Sequence, residues 1–362
     1  MRGRSTRFGW ASQKSASNPH RKSDLHRPNY VAQSLGFPKK HSEPESIFHG
    51  SRIWTALVIR FRSCATMLNL IPRSRFYACT AILVLVHSWI GATGQSFRFK
   101  PVSRDVVEAR LKKYAGTNKE REATLKAMFA EAGCDDQHVS EQQVKGSKLP
   151  NVICFLPGSS DKVIIVGAHF DRVSDGDGVV DNWSGASLLP SLYEAVKIES
   201  RKHTFIFIGF TDEEKGLIGS RFYARQMTKD QVAVTEAMVN MDTLGLTSTK
   251  VWVSHSDKSL TNALASIARR LNAPLAGVNV DQVGSTDAEQ FSERKIPRIT
   301  IHSLTQETWD AHILHTSKDQ LSAIHLDDYY QTYHVLAAYL AYLDQLANAS
   351  TAQDSITVDK SP

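Results

Sequence analysis

The sequence lacks internal repeats, coiled-coil heptads and any glycine-rich loop with phosphate-binding spacing, although it is 362 residues long. These absences argue against a repeat protein, a long coiled coil and a P-loop nucleotide-binding protein. Hydrophobic residues make up 41% of the chain and charged residues 22%, a composition typical of soluble globular proteins. The length allows one large domain or two smaller ones.

Basic residues are concentrated at the amino terminus. The net charge is +6, but residues 1–66 hold 12 Lys or Arg against three acids. Residues 95–362 hold 29 basic and 34 acidic side chains, so this mildly acidic body gives no reason to expect nucleic acid as a partner. We interpret residues 1–66 as a disordered extension or the product of a mis-assigned start codon. A basic arm for nucleic acid or an anionic membrane is the alternative.

Residues 67–94 have the layout of a secretory signal peptide. Arg73 and Arg75 precede an apolar run over residues 76–90, and small residues follow it before Gln95. The run is about 15 residues long, short of the roughly 20 that span a membrane. The sequence therefore predicts a secreted or periplasmic protein that begins near Gln95. An uncleaved membrane anchor is the alternative, and would be the only reason to expect a stable membrane partner.

Only four cysteines are present, and the predicted cleavage would remove Cys64 and Cys79. Cys134 and Cys154 remain, and an oxidising compartment would allow them to pair. Such a bridge closes a loop of about 20 residues, worth roughly 3 kcal/mol in the chain-entropy description. Two buried thiols are the alternative. Neither cysteine has a histidine or a second cysteine beside it, which argues against a thiol nucleophile or a zinc–thiolate site.

Strand-like and helix-like segments alternate from Gln95 onward. This alternation predicts an α/β fold with a mostly parallel mixed central sheet that helices cover on both faces. We expect a single domain over residues 95–350 and a tail over residues 351–362. The predicted strands are 139–144, 151–156, 162–168, 203–210, 234–241, 250–253 and 298–302, and the predicted helices are 106–114, 120–131, 185–199, 215–229, 258–271, 287–293 and 326–346.

Acidic residues or a histidine follow three of the strand candidates. Ligands of open α/β sheets bind at the edge formed by the carboxyl ends of the strands. The pattern therefore predicts a site at this edge, and the chemistry of the residues indicates a hydrolytic metal site. The first strand is followed by His169, Asp171 and Asp181, the next by Asp212, Glu213 and Glu214, and the third by Asp242.

Zinc binds imidazole nitrogen and carboxylate oxygen, and a pair of zinc ions needs one bridging carboxylate. Five ligands with one of them shared give three contacts to each metal and leave room for water and substrate. Glu213 is then a natural general base beside the metal site. Asp171 can accept the second N–H of His169 and fix its tautomer. The five candidate ligands are His169, Asp181, Glu214, Asp242 and His315.

Several of these residues also have a simpler interpretation. Glu213 and Glu214 suit the first turn of a following helix, and Asp242 suits a turn at a strand end. His312 is an alternative to His315, which we favour because a threonine follows it and Asp319 lies nearby. The remaining candidate histidines are interpreted as structural or surface groups: His255, His302 and His325.

The order of the motifs resembles that of the secreted co-catalytic zinc aminopeptidases. That family includes bacterial leucyl aminopeptidase, and its relatives include glutamate carboxypeptidase II, glutaminyl cyclase and the transferrin receptor ectodomain. The resemblance covers about residues 100–345. It rests on Gly167-Ala168-His169-Phe170-Asp171, Asp181-Asn182-Trp183-Ser184-Gly185, Asp212-Glu213-Glu214, Asn240-Met241-Asp242 and His315-Thr316.

The resemblance implies a role for each matching residue. His169 and Asp242 would bind one zinc, Glu214 and His315 the other, and Asp181 would bridge the two. Glu213 would be the general base, and Asp171 would orient His169. The resemblance also implies a cis peptide bond between Asp181 and Asn182.

One motif departs from the family pattern. Many members have a Ser-Asp-His run before a phenylalanine at the rim of the pocket. Here Thr286 precedes Asp287, and an alanine stands where the histidine would be. This difference bears on the chemistry of the pocket more than on metal binding.

The sequence as a whole predicts a secreted zinc-dependent exopeptidase with two zinc ions per chain, most simply an aminopeptidase. Its substrates would be the amino termini of peptides or small proteins. The alternatives are a carboxypeptidase or single-zinc glutaminyl cyclase on the same scaffold, or a non-catalytic binding protein. The retained set of ligands argues against the binding protein. The sequence gives no expectation for the oligomeric state.

Overall fold

The structure is a computed structural model that describes residues 32–33, 99–197 and 201–346. The signal peptide predicted over 67–94 and the tail predicted over 351–362 lie outside the described residues, as does the basic extension apart from residues 32–33. Within the described part of the chain, none of the helices has the length and apolar character needed to cross a membrane.

One mixed sheet runs through the described part of the molecule. Its strands are β1 (Ala32–Gln33), β2 (Val139–Gln142), β3 (Asn151–Leu156), β4 (Val163–His169), β5 (Thr204–Phe210), β6 (Thr235–Met241), β7 (Lys250–Val251), β8 (Ala276–Val278) and β9 (Arg298–His302). Their order across the sheet is β1-β8-β7-β9-β6-β4-β5-β3-β2. Strands β5, β4, β6 and β9 pair in parallel, as do β7 and β8. The other pairings are antiparallel. The predicted mixed α/β sheet is confirmed.

Helices occupy most of the connections between strands. They are α1 (Arg104–Leu111), α2 (Asn118–Glu131), α3 (Ser184–Val196), α4 (Ile218–Gln226), α5 (Lys229–Val234), α6 (Lys258–Arg270), α7 (Glu289–Ser292), α8 (Gln306–Asp310) and α9 (Leu326–Gln345). Most of these helices overlap the predicted ones, with boundaries that differ by a few residues. The short helix α8 was not predicted.

The prediction of one helix over 215–229 is wrong. The chain forms a turn over residues 213–216, then α4, and it becomes extended at Met227. Thr228 begins the separate helix α5 with a capping box, in which its hydroxyl accepts from the backbone N–H of Gln231. The sequence Thr-x-x-Gln predicts the start of this helix, which the hydrophobic spacing alone does not reveal.

The two faces of the sheet bury different sets of side chains. On β4, Ile164 and Val166 belong to the larger core, and Ile165 points to the opposite face. Helices α1, α2, α3, α6 and α9 contribute to the larger core. The smaller core contains Phe291 of α7, with Tyr223 of α4 packed against it. The alternation along β4 thus explains why helices cover both faces.

Cys134 and Cys154 form a disulfide bond. The bond joins the segment after α2 to strand β3, and both cysteines are buried. The expected pairing of these two residues is therefore confirmed, and the alternative of two free buried thiols is not.

Candidate metal centre

Three adjacent parallel strands bring the predicted site residues to one edge of the sheet. β4 lies between β5 and β6, and its last residue is His169. Glu213 and Glu214 follow the end of β5, and Asp242 directly follows β6. The parallel direction of the strands therefore gathers residues that are far apart in sequence.

The carboxylate of Asp181 lies between two histidines. Its Oδ1 is 3.2 Å from Nε2 of His169, and its Oδ2 is 3.2 Å from Nε2 of His315. The two oxygens of one side chain thus face two different imidazoles. A carboxylate that bridges two cations needs this arrangement.

His169 forms the buried half of the cluster, with a side chain that is 1% exposed. Its Nε2 is buried and has no hydrogen-bond partner. The same atom lies 3.6 Å from Oδ1 of Asp242 and 3.9 Å from Oε2 of Glu213. A buried nitrogen that faces three carboxylates without bonding to any of them is the arrangement expected of a metal ligand.

His315 forms the other half of the cluster and is 54% exposed. Its Nε2 lies 3.0 Å from Oε2 of Glu214, whose Oε1 is buried without a hydrogen-bond partner. Of the two histidines in this loop, His315 contacts the cluster. The carbonyl of His312 instead accepts a hydrogen bond from the hydroxyl of Thr316.

Two sets of three residues each bring potential ligand atoms within 4.8 Å of one another. One set is His169, Glu213 and Asp242, and the other is His169, Asp181 and Glu214. His169 belongs to both sets. Glu213 lies close enough to the cluster to act either as a ligand or as a base.

The backbone is strained where it delivers these side chains. Asp212 and Thr243 have φ angles of 51° and 56°, and they flank Glu213 and Asp242 in sequence. His315 itself has a φ of 57°. Positive φ is unfavourable for residues other than glycine, and such residues cluster at functional sites. The peptide bond between Asp181 and Asn182 is cis, as the resemblance implied.

Asp171 is fully buried beside His169 and contacts more than the imidazole. Its carboxylate accepts hydrogen bonds from the backbone N–H groups of Glu213 and Glu214, at 3.0 and 3.3 Å. Oδ1 of Asp171 lies 3.5 Å from Nδ1 of His169, and the backbone carbonyl of Asp171 is nearer, at 3.2 Å. Asp171 thus orients the histidine partly through its main chain, and its side chain fixes the turn that carries both glutamates.

Asp319 holds the segment that contains Asp181. Its carboxylate accepts from the backbone N–H of Val180 at 2.7 Å and from that of Asp181 at 3.1 Å. On the other side, Asn182 donates to the carbonyl of Met241 at 2.9 Å. Sequence reasoning noted Asp319 only as a neighbour of His315, and its role in positioning Asp181 was missed.

The charges of the cluster shift the pKa values of its members. Burial raises the pKa of Glu213 to about 10, and the nearby carboxylates of Asp287 and Asp242 add to the effect. Contacts with Asp181 and Glu214 raise the pKa of His315 to about 10. Buried acids packed this closely need positive charge between them. The donor set of carboxylates and imidazoles therefore fits divalent zinc.

Asp287 is a further acid behind the cluster, and sequence reasoning noted it only as a departure from a family motif. Its side chain is buried and both of its oxygens lack hydrogen-bond partners. Burial raises its pKa to about 7. The preceding residue, Thr286, accepts from Asn240 at 2.6 Å and lies 3.5 Å from Oδ2 of Asp242.

A pocket of about 500 Å³, including its open mouth, lies over the cluster. Its lining combines the acidic and histidine residues of the cluster with a group of apolar residues, which we call the apolar wall. The wall residues include Trp252, Val280, Val283 and Leu304.

The profile of Peptidase family M28 matches residues 151–340, which is just over half of the chain. The chain belongs to peptidase family M28. The matched segment contains every member of the cluster described above. The resemblance to zinc aminopeptidases, inferred from the motifs, is confirmed at the level of the family.

Relatives with curated descriptions match shorter parts of this chain than the family profile does. A probable leucine aminopeptidase of Arthroderma benhamiae is 27% identical over 183 residues, covering 44% of this chain and 51% of that protein. The probable lipoprotein aminopeptidase LpqL of Mycobacterium tuberculosis is 34% identical over 117 residues, covering 31% and 23%. The chain thus spans about a quarter to a half of the length of these relatives.

Solved structures show the same fold as the M28 chain. The LapA aminopeptidase of Legionella pneumophila aligns with a TM-score of 0.58 and 19% identity, covering 67% of this chain and 70% of that one. An Acidobacteriales bacterium glutaminyl cyclase aligns with a TM-score of 0.58 and 17% identity, covering 70% and 98%. At these identities the similarity establishes the zinc-exopeptidase-like fold.

Proposed function

We propose that this protein is a zinc-dependent aminopeptidase that removes residues from the amino termini of peptides with the help of two zinc ions. Membership of peptidase family M28 supports a hydrolase that acts on peptide bonds. The curated relatives described as aminopeptidases favour cleavage at the amino terminus. The main observation behind the proposal is that the two oxygens of the Asp181 carboxylate face two different histidines, His169 and His315.

The proposed ligands divide into two halves around Asp181. His169 and Asp242 would hold one zinc, and Glu214 and His315 would hold the other. In support, His169 lies near Asp242 and His315 lies near Glu214. The two histidines face different oxygens of Asp181. Asp171 and Asp319 would position these ligands through the backbone groups that they bind.

When bound, the zinc ions would lower the pKa of a water molecule and polarise the scissile carbonyl. Glu213 would take a proton from that water at its carboxylate and deliver it to the leaving amine. Burial raises the pKa of Glu213, and the positive charge of bound zinc would offset this effect and leave the carboxylate free to take the proton. The hydrogen bond from the Glu213 backbone N–H to Asp171 would keep this carboxylate in place.

The pocket beside the cluster offers apolar contacts for a substrate side chain. Trp252, Val280 and Leu304 line it together with the residues of the cluster, and each is at most 3% exposed. A terminal residue with an apolar side chain would pack against this lining.

A hydrolysis screen combined with metal analysis tests the proposal. We expect zinc-loaded protein to release the first residue of aminoacyl and peptide substrates, with about two zinc ions bound per chain. The screen includes carboxy-terminal and amino-terminal glutaminyl substrates. Cyclisation of the glutaminyl substrate with one bound zinc would replace the proposal by a glutaminyl cyclase. Well under one zinc per chain with no turnover would favour a binding protein.

We also propose that the protein is exported. The disulfide between Cys134 and Cys154 supports an oxidising destination, because such bonds rarely persist in reducing compartments. Sequencing the amino terminus of the mature protein tests this proposal. A start near Gln95 is expected, and a mature chain that retains residues 67–94 would contradict cleavage.

A further inference from the structure

One large aromatic side chain, Trp252, forms part of the apolar wall of the pocket. Residues outside the pocket hold it in place. Trp252 lines the pocket and is 3% exposed. Its backbone N–H donates to the carbonyl of Thr300 at 3.0 Å, which ties it to strand β9. An indole is large and can bury much apolar area, so its orientation determines how much of the wall a substrate side chain can reach.

The orientation of this indole is set by Asp281. Nε1 of Trp252 donates to Oδ1 of Asp281 at 2.8 Å, and the hydroxyl of Ser254 donates to the same oxygen at 2.9 Å. The ring of His255 packs against the indole, with centroids 4.2 Å apart and an angle of 33° between the planes. The Trp252 ring is therefore held at its polar edge and on one face.

His255 also joins the two ends of a pocket loop, residues 281–289. Its Nε2 lies 3.6 Å from Oδ1 of Asp281, and its Nδ1 lies 2.8 Å from Oε1 of Glu289. We call Asp281, His255 and Glu289 the clasp. The side chain of Asp281 is 64% exposed, so its charge attraction to His255 is weak. The hydrogen bond from the indole is the stronger reason for the position of Trp252, because a buried N–H without an acceptor is costly.

The clasped loop also reaches the metal centre. Val283 and Ser285 of this loop line the pocket. Thr286, in the same loop, lies against Asp242 and accepts a hydrogen bond from Asn240. A shift of the loop would therefore change the wall of the pocket and the surroundings of one proposed ligand together.

We propose that Trp252 is a specificity-determining residue of the pocket, and that the clasp is a positioning device that holds its indole toward the substrate side chain. This inference rests on the proposed function, since it concerns the terminal residue of the peptide to be cleaved. The clasp touches neither the cluster nor the reacting bond. Its effect is expected on substrate preference and on KM, with little effect on kcat.

Variants of Trp252 test the first part. We expect Trp252→Ala to reduce the preference for leucyl over lysyl substrates, measured as a ratio of kcat/KM, by about tenfold, the effect of burying one large apolar side chain. Trp252→Phe keeps an apolar ring without the N–H and should lose only part of this preference. An unchanged ratio in both variants would overturn the inference.

Variants of the exposed Asp281 test the clasp with little risk to folding. Asp281→Ala should raise KM for leucyl substrates about fivefold, the loss expected for one hydrogen bond, and leave kcat within about twofold. Asp281→Asn retains an acceptor and should restore most of the affinity. Asp230→Ala, at an exposed position of α5, is the matched control. A drop in kcat for every substrate, with KM unchanged, would contradict a positioning role.

Binding measurements separate this inference from the proposed function. Titration of zinc-loaded protein with free leucine and free lysine should show tighter binding of leucine, and Trp252→Ala should remove the difference. If no peptide is hydrolysed but leucine binding still depends on Trp252, the proposed function fails and the specificity pocket stands. If peptides are hydrolysed and neither binding nor preference depends on Trp252, the pocket inference fails alone.

Discussion

The two edges of the parallel strands each hold a fully buried histidine, and the two histidines have opposite surroundings. His169 ends β4 at the carboxyl edge, and its Nε2 has no hydrogen-bond partner. His203 precedes β5 at the amino edge, where Nδ1 lies 3.1 Å from the carbonyl of Asp344 and Nε2 lies 3.0 Å from Oε2 of Glu236. The difference teaches that burial among acids alone does not indicate a metal ligand, whereas a buried nitrogen that faces several carboxylates without a hydrogen bond is typical of one.

The amino edge uses the same residue types for structure. Oδ1 of Asp344 accepts the backbone N–H groups of Lys202 and His203, at 3.0 and 2.7 Å. Asp344 belongs to α9, so these bonds fasten the last helix to the start of β5. We therefore expect changes at the carboxyl edge to affect metal binding and turnover, and changes at the amino edge to affect stability.

The largest expected effect is a difference between two neighbouring acids of the carboxyl edge, Glu213 and Glu214. Glu213→Gln should lower kcat by about two to four orders of magnitude, because the amide cannot carry the proton, and should leave bound zinc unchanged. Glu214→Gln should instead reduce bound zinc, because Glu214 lies against His315. Steady-state kinetics and metal analysis measure both effects, with Glu131→Gln at an exposed position as control. Turnover near that of the unaltered protein in Glu213→Gln would remove it from the role of base.

The second effect compares the two histidines of the centre. His169→Ala should abolish tight zinc binding at the buried half, and His315→Ala should weaken the more exposed half and retain about one zinc. Thermal unfolding with and without a chelator gives an independent measure, since bound metal stabilises the folded state. A chelator should lower the Tm of the unaltered protein more than the Tm of either variant. Loss of both zinc ions, or of neither, in a single variant would contradict the division into halves.

The third effect lies at the amino edge. His203→Ala removes the buried imidazole that contacts the carbonyl of Asp344 and the carboxylate of Glu236, and we expect a loss of roughly 1–3 kcal/mol in the free energy of unfolding. Zinc content and kcat of the folded variant should equal those of the unaltered protein. Urea unfolding and metal analysis measure these quantities. Loss of zinc at unchanged stability would break the distinction between the two edges.

The smallest effect is a pH dependence of stability from the same histidine. Burial acts to lower the pKa of His203, but its bonds to Asp344 and Glu236 outweigh burial and raise the pKa above its usual value. The folded state therefore favours the imidazolium. Its contribution is complete below the unfolded pKa of about 6.5 and is lost as the pH rises through the higher folded pKa. Urea unfolding of the metal-free protein between about pH 6 and pH 9 should show this loss, and the loss should be smaller in His203→Gln.

The positions of the main strands and the residues at their ends could be predicted because both follow from local patterns. His169, Glu214 and Asp242 each stand just beyond an apolar strand, and parallel strands bring such residues together. The split between α4 and α5 was missed because the hydrophobic spacing continues past Met227. The capping signal at Thr228 was the better guide.

The supporting contacts could not be predicted, because they join residues that are distant in sequence. Asp319 binds the backbone of Asp181 across 138 positions. Trp252 and Asp281 are 29 positions apart, and their hydrogen bond depends on how two connections pack. Neither Trp252 nor Asp281 lies in a motif that sequence reasoning associates with metal binding. Their roles follow from the three-dimensional arrangement alone.

The turn after β5 sends two consecutive acids in different directions, Glu213 toward His169 and Glu214 toward His315. The positive φ of Asp212 and the hydrogen bonds to Asp171 fix which acid goes where. Inserting or deleting one residue between Phe210 and Glu213 would move one glutamate into the place of the other and bring a different side chain into the vacated place. The length of this short segment is thus under tighter constraint than the identity of most of its neighbours, and related chains should vary there by substitution and not by gaps.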